Sequence, residues 1–296
     1  IKHMENKLLK GLNPEQLKAV RHNKGPLLII AGAGTGKTTV ITRRIAYLIS
    51  KKIAKPEEIL ALTFTEKAAN EMEERVDVLV PYGFVDTQIS TFHSFGEKIL
   101  TEYAFNLGIN TDFKVLSEEE QIMFFNERIF SLDLKYFRPG SNPLKYVKSI
   151  LRFFSRCKDE LLNPEDIIKY AKSEKRKAKS KDERIKAQKY LELGNTYKKY
   201  QDLLTKEGFM DFGDQINLVI KLLSEHPDIR EKLQKQFKYI LVDEFQDTNY
   251  AQNILVNLLV GKNKDIAVVG DDDQSIYKFR GASISNIMNF AKTFKN

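Results

Sequence analysis

The chain has a single cysteine, Cys157, among its 296 residues. No disulfide can form within it, and this fits a reducing, cytoplasmic setting. Histidine is scarce too. His3, His22, His93 and His226 are scattered, with no cysteine or second histidine at ligand spacing, which argues against a zinc site. No apolar run approaches the ~18 residues of a membrane span, so no membrane role is expected. The charged start does not read as a signal peptide. There is no internal repeat, and no low-complexity tract beyond one basic run.

What is present is ordinary for a folded chain. Apolar residues make up 42% and the formal net charge is +8. That is enough apolar material for buried cores, and the mild basic bias suits a polyanion. The length suggests about two domains. Asn13-Pro14-Glu15-Gln16 predicts a capped helix start, with Pro14 first in the helix and Gln16 three residues after the cap. Apolar strands are expected at Pro26–Ile30, Ile59–Leu62, Phe237–Val242 and Ile266–Val269, with helices between them. Strands alternating with helices predict a parallel sheet covered on both faces, an α/β fold.

The middle differs. From Thr111 to Lys206 the pattern is helical, with segments expected at Glu118–Leu132, Pro143–Cys157 and Asp182–Leu204. The expected organisation is one sheet domain in two parts, 1–110 and 208–296, interrupted by a helical insertion at 111–207. The stretch Lys172–Lys189 is dense in lysine and arginine. It reads either as a solvated helix or loop, or as a DNA-facing surface.

Between the first strand and the next helix stands Ala31-Gly32-Ala33-Gly34-Thr35-Gly36-Lys37-Thr38. A phosphate-binding loop reads Gly, four residues, then Gly-Lys-Ser/Thr, so only Ala31 departs from it. Glycines let backbone amides turn inward around phosphate oxygens, and the helix N-terminus adds its dipole. Lys37 is then the group for the β- and γ-phosphates, and the Thr38 hydroxyl a magnesium ligand. The strand Tyr239–Val242 exits into Asp243-Glu244. Asp243 is the second candidate for holding Mg²⁺, and Glu244 the candidate base toward water. The strand ending at Val269 exits into Gly270-Asp271-Asp272-Asp273-Gln274. Parallel strands deliver such exits to one sheet edge, where Gln274 can sense the γ-phosphate.

As a set, these motifs resemble the UvrD/Rep/PcrA-type superfamily 1 DNA helicases. Leu12–Gln16 with Ala19-Val20 is similar to the Q motif, and Ala31–Thr38 to motif I, where an initial alanine is usual. Ala61–Thr65 with Lys67-Ala68-Ala69 resembles motif Ia, and Thr91-Phe92-His93-Ser94 motif Ib. Asp243–Thr248 resembles motif II, and Val269–Tyr277 with Arg280-Gly281-Ala282 motif III. Two positions depart: Thr39 stands where several members carry an arginine that packs on adenine, and Phe279 where tryptophan is common.

The resemblance implies a RecA-like P-loop NTPase sheet with a mostly α-helical inserted subdomain, using ATP and Mg²⁺. It implies that Gln16 reads adenine, that Thr39 lies by the base, and that Thr63, Phe64, Thr91, His93, Tyr277 and Phe279 contact DNA. The partner is then a single strand, or a duplex with a single-stranded tail, travelled 3′ to 5′. The family continues into a second motor domain with motifs IV to VI. The chain is therefore expected to be a monomeric N-terminal half that hydrolyses ATP poorly alone. A helicase subunit of a RecB/AddA-like helicase–nuclease shares these motifs, and a non-catalytic nucleotide- or DNA-binding module is the other alternative. A transport ATPase of the ABC type is disfavoured, because no Leu-Ser-Gly-Gly-Gln occurs.

Overall fold

The computed structural model describes residues 8–80, 86–138, 145–271 and 284–294. They fall into two compact units, one drawn from Ile1–Lys98 and Ile220–Asn296 and the other from Ile99–Val219. The strands, in chain order, are β1 (Leu27–Ile30), β2 (Ile59–Thr63), β3 (Gln88–Thr91), β4 (Lys114–Val115), β5 (Phe209–Met210), β6 (Tyr239–Val242) and β7 (Ile266–Gly270).

The first unit is built on a five-stranded sheet in the order β1-β7-β6-β2-β3. Every pairing is parallel, with Leu28 opposite Val268, Leu241 opposite both Ala267 and Ala61, and Ala61 opposite Ile89. Strands β2, β6 and β7 are buried along their whole length, as near-continuous apolar runs demand when both faces are covered. Alternate residues divide between the faces. Ile59, Ala61, Leu241, Ala267 and Val269 pack with Ile41, Ile45 and Leu48 of the helix Lys37–Ser50, and with Ala69, Met72 and Val76 of the helix Glu66–Leu79. Their neighbours Leu60, Leu62, Ile240, Val242 and Val268 are buried as well. The expected α/β sheet is therefore present, and β3 is added to the four strands the sequence suggested. Its residues, Gln-Ile-Ser-Thr, carry too little apolar character to stand out alone.

The second unit is helical apart from a two-residue parallel pair, β4 with β5. Glu118–Glu127 is shorter than expected and passes into a 3₁₀ turn at Ile129–Leu132. Val147–Asp159 follows, then the helix pair Pro164–Lys177 and Lys181–Lys206. Both helices of the pair start on full capping boxes, Asn163 with Asp166 and Ser180 with Glu183. Gly194 lets them approach closely. A methyl group there would stand 2.8 Å from Ile168 Cγ1 and 3.2 Å from Ile168 N, so the ~1 kcal/mol that a mid-helix glycine costs permits the packing. Phe124, Phe125, Phe154, Tyr197 and Tyr200 fill the core, with Phe154 stacked on Tyr197 at 4.7 Å.

Inside that core lies a buried ion cluster. Lys158 Nζ sits 2.5 Å from Asp211 Oδ2 and 2.9 Å from Asp214 Oδ1. The Tyr197 and Tyr200 ring centroids are 5.8 and 5.9 Å from the ammonium. The backbone N–H of Asp211 donates to Asp214, that of Asp214 donates to Asp211, and Gln201 Nε2 donates to Asp214. Burial works against the Lys158 charge, but the two aspartates outweigh it and the amine is held above its ordinary range.

Candidate functional site

The loop after β1 meets the exits of β6 and β7 at one edge of the first unit's sheet. Ala31 N donates to Gly270 O at 2.9 Å, tying the loop's start to the end of β7. Gly36 lies in the left-handed region at φ 87°, and no side chain caps the helix that begins at Lys37. Unpaired N–H groups at a helix start, behind a glycine turn, form an anion site. Gln16 braces this loop from the helix Pro14–Arg21. Its Nε2 donates to Thr35 O at 3.0 Å, while its Oε1 accepts from Asn13 N in the predicted capping box.

Ala33, Gly34, Gly36, Lys37, Thr38 and Thr39 line a pocket of about 380 Å³ with Glu244 and Arg75. Lys37 is only 9% exposed, and its ammonium sits 3.0 Å from Glu244 Oε2 and 3.6 Å from Asp271 Oδ2. The lysine of the candidate phosphate loop is thus held between the exits of β6 and β7. Glu244 adopts φ 49°, a left-handed backbone that side chains disfavour. Asp243, beside it, is buried, and its backbone N donates to Leu62 O at 2.9 Å. Burial, then the neighbouring Glu244 charge, pushes the Asp243 carboxyl up to about 6.

A residue with no role assigned from the sequence completes the junction. The buried Gln246 side chain donates from Nε2 to Glu244 Oε2 at 2.7 Å and accepts the backbone N–H of Asp271 at 3.0 Å. One amide therefore links the candidate base to the chain leaving β7. Arg75, on the helix Glu66–Leu79, pairs with Glu71 and lines the pocket. Neither residue's role could be read from the sequence. Gln246 falls within the stretch that resembles motif II, but nothing in its spacing says what its amide holds, and Arg75 is one cation on an amphipathic helix.

The donors proposed for a metal, the Thr38 hydroxyl and the Asp243 carboxylate, are hard oxygens. They are few, and they suit Mg²⁺, which keeps several waters and takes phosphate oxygens as further ligands. An uncapped helix start with a lysine beside it suits a nucleotide's phosphates.

The residues expected to touch DNA divide in two. Thr63 and Thr91 lie opposite each other at the ends of β2 and β3, and both are buried. The Thr91 hydroxyl donates to Glu66 at 2.9 Å and accepts the Ser94 backbone N–H at 3.0 Å, while the Ser94 hydroxyl donates to Glu66 at 2.6 Å. Those hydrogen bonds, Ser94 first and then Thr91, hold the Glu66 carboxyl below its ordinary range. Phe64 and His93 are half-buried, and the Phe64 ring lies 5.7 Å from Phe92. Gln274, Tyr277 and Phe279 lie outside the described residues. Among the described residues, no helix is long and apolar enough to cross a membrane.

A family model described as the UvrD/REP helicase N-terminal domain matches residues 12–295. Among curated proteins, the ATP-dependent DNA helicase PcrA of Bacillus subtilis is 42% identical over 300 residues, covering 99% of this chain and 37% of that protein. A probable DNA helicase II homolog of Rickettsia felis is 40% identical, covering 96% of this chain and 40% of that protein. The PcrA of Staphylococcus epidermidis is 41% identical, with 98% and 37% covered. The chain spans 37–40% of the length of these relatives.

Proposed function

Because the chain belongs to the UvrD/REP helicase family, through that family's N-terminal domain, we propose that it forms the nucleotide-binding half of an ATP-driven motor working on single-stranded DNA. The observation that carries this reading is the junction of Lys37 with Glu244 and Asp271, at the mouth of an uncapped helix start. The ammonium and the backbone amides take the phosphate oxygens of ATP. Thr38 and Asp243 would hold the magnesium ion that accompanies it, which would supply charge neutralisation at the transferred phosphoryl group. Glu244, released from Lys37 by the arriving phosphates, accepts a proton from the attacking water. Gln246 keeps that carboxylate aimed. Arg75 offers the pocket a guanidinium where Thr39 cannot.

Coupling to DNA runs through the same amide. Gln246 holds the backbone of Asp271, three residues before Gln274, the proposed sensor of the γ-phosphate. A shift of Glu244 on nucleotide arrival thus pulls on the segment that carries Tyr277 and Phe279, the proposed base stackers. Phe64 and His93 supply the second part of the DNA contact. The buried Thr63 and Thr91 hold the strand ends that present them. In the longer relatives' frame, a second motor domain outside these 296 residues closes on the nucleotide and supplies arginines, an effect worth ~10³–10⁵ in phosphoryl transfer.

Nucleotide binding and steady-state ATP hydrolysis, with and without an oligonucleotide, test this reading. The expected result is nucleotide binding that Lys37→Ala abolishes, with slow turnover. Unchanged binding by Lys37→Ala would overturn the nucleotide site. Robust DNA-stimulated turnover by this chain alone would overturn the division of the motor into two halves.

A further inference from the structure

The basic run that the sequence left open lies at the turn of the helix pair in the second unit. From Lys172 to Lys189, nine of eighteen residues are lysine or arginine and three are aspartate or glutamate. That local excess of six compares with a net charge of +8 for the whole chain. The helices Pro164–Lys177 and Lys181–Lys206 are separated by only three residues, so these cations crowd one end of the pair.

They surround a concave site. A pocket of about 470 Å³ is lined by Tyr170 and Tyr190 with Lys177, Lys179 and Lys186. The two tyrosine rings meet edge to face at 5.4 Å, and Tyr170 is 48% exposed. The acids on the wall are engaged. Glu174 pairs with Lys177 at 3.3 Å, and Glu183 accepts the backbone N–H groups of Lys179 at 2.6 Å and Ser180 at 3.2 Å. No ion pair forms at the Lys179 or Lys186 ammonium among the described residues. The turn is fixed by the Ser180 capping box, so the pocket is formed without reordering the chain.

An aromatic face beside cations that outnumber the acids, in a pocket of nucleotide size, is the composition that grips an unstacked nucleotide. We infer that this pocket is a second contact for single-stranded DNA, with a base lying on Tyr170 and flanking phosphates on Lys179 and Lys186. A duplex keeps its bases stacked and offers Tyr170 no face, so the single strand is the favoured form. The inference rests on the DNA-motor reading, and it adds a site that none of the helicase-like motifs contains.

The test measures fluorescence anisotropy of a labelled oligothymidine and of a blunt duplex of equal length, titrated with this chain across a range of salt. Lys179→Glu combined with Lys186→Glu is expected to weaken single-strand binding about tenfold or more. It should also flatten the slope of log Kd against log salt by about 1.4, at ~0.7 per phosphate contact. Tyr170→Ala should weaken single-strand binding about tenfold and leave the duplex unchanged, whereas Tyr170→Phe retains affinity. All these side chains are on the surface, and circular dichroism melts verify that the variants fold alike. An unchanged Kd and salt slope after the double charge reversal overturns the inference. Equal losses of duplex and single strand after Tyr170→Ala also overturn it. Phe64→Ala separates the two claims. If it weakens binding while the hairpin substitutions do not, the motor reading stands and this site falls.

Discussion

Each unit of the molecule holds one lysine between two carboxylates, and the two clusters behave as opposites. Lys37 lies between Glu244 and Asp271, and Lys158 between Asp211 and Asp214. In the first, Glu244 is 36% exposed, the lysine faces a pocket, and the backbone at Glu244 is strained. In the second, Lys158 is 1% exposed, tyrosine rings flank it, and backbone amides satisfy the acids. An incoming anion can replace the partners of Lys37. Nothing can replace those of Lys158. Ionic composition therefore does not separate a binding site from an internal strut; access does.

The largest expected break in the comparison comes from removing the sealed lysine. Lys158→Ala leaves two aspartates buried without their cation, a loss of about 3–5 kcal/mol in stability. Urea denaturation reads it. A loss no greater than that of Lys37→Ala would show that the two clusters are equivalent.

A smaller effect is expected from Gln246→Glu. The replacement can still accept the Asp271 backbone N–H, but it sets a second carboxylate against Glu244. Single-turnover ATP hydrolysis should fall about 10²-fold, the scale of a misplaced catalytic group, measured at a temperature where circular dichroism shows the variant folded, because the new buried carboxylate also lowers the melting temperature. Hydrolysis at the unsubstituted rate would remove Gln246 from the proposed coupling.

The smallest effect is the pH dependence that the strut contributes. Burial first, then the charge of Asp211, pushes the Asp214 carboxyl up to about 6, although Lys158 pulls the other way. The folded chain then takes up a proton near pH 6, whereas the unfolded chain waits until about 4. Stability from this group therefore rises as pH falls through 6. Asp211 is held low and stays charged across that window. Relative to Asp214→Asn, the unsubstituted chain should gain about 2–4 °C in melting temperature between pH 7.5 and 5. Parallel curves would mean that Asp214 does not titrate there.

How much of this was legible in the sequence follows from where each signal resides. β2, β6 and β7 are apolar runs buried on both faces, and such runs announce themselves. β3 and β4 do not, because Gln88–Thr91 and Lys114–Val115 become strands only through their pairing partners. The loop Ala31–Thr38, Asp243 and Glu244 stood out because the chemistry proposed for them fixes residue type and spacing, and the structure brings Lys37 and Glu244 together. Gln246, Arg75 and the Lys158 cluster were not. Their roles come from contacts between segments far apart in the chain, as when Lys158 reaches Asp211 across 53 positions. The basic run was visible as charge, but its pocket exists only once two helices fold back on each other.

The backbone at Glu244 carries one more consequence. At φ 49° and ψ 45° the position favours glycine or asparagine on conformational grounds alone. A glutamate held there costs of order 1–3 kcal/mol in backbone strain. Any search for hardier versions of this chain that rewards heat resistance alone will be drawn to replace residue 244, and will discard the proposed proton acceptor as it does so. In this fold the sturdier variant and the working one part at a single peptide unit.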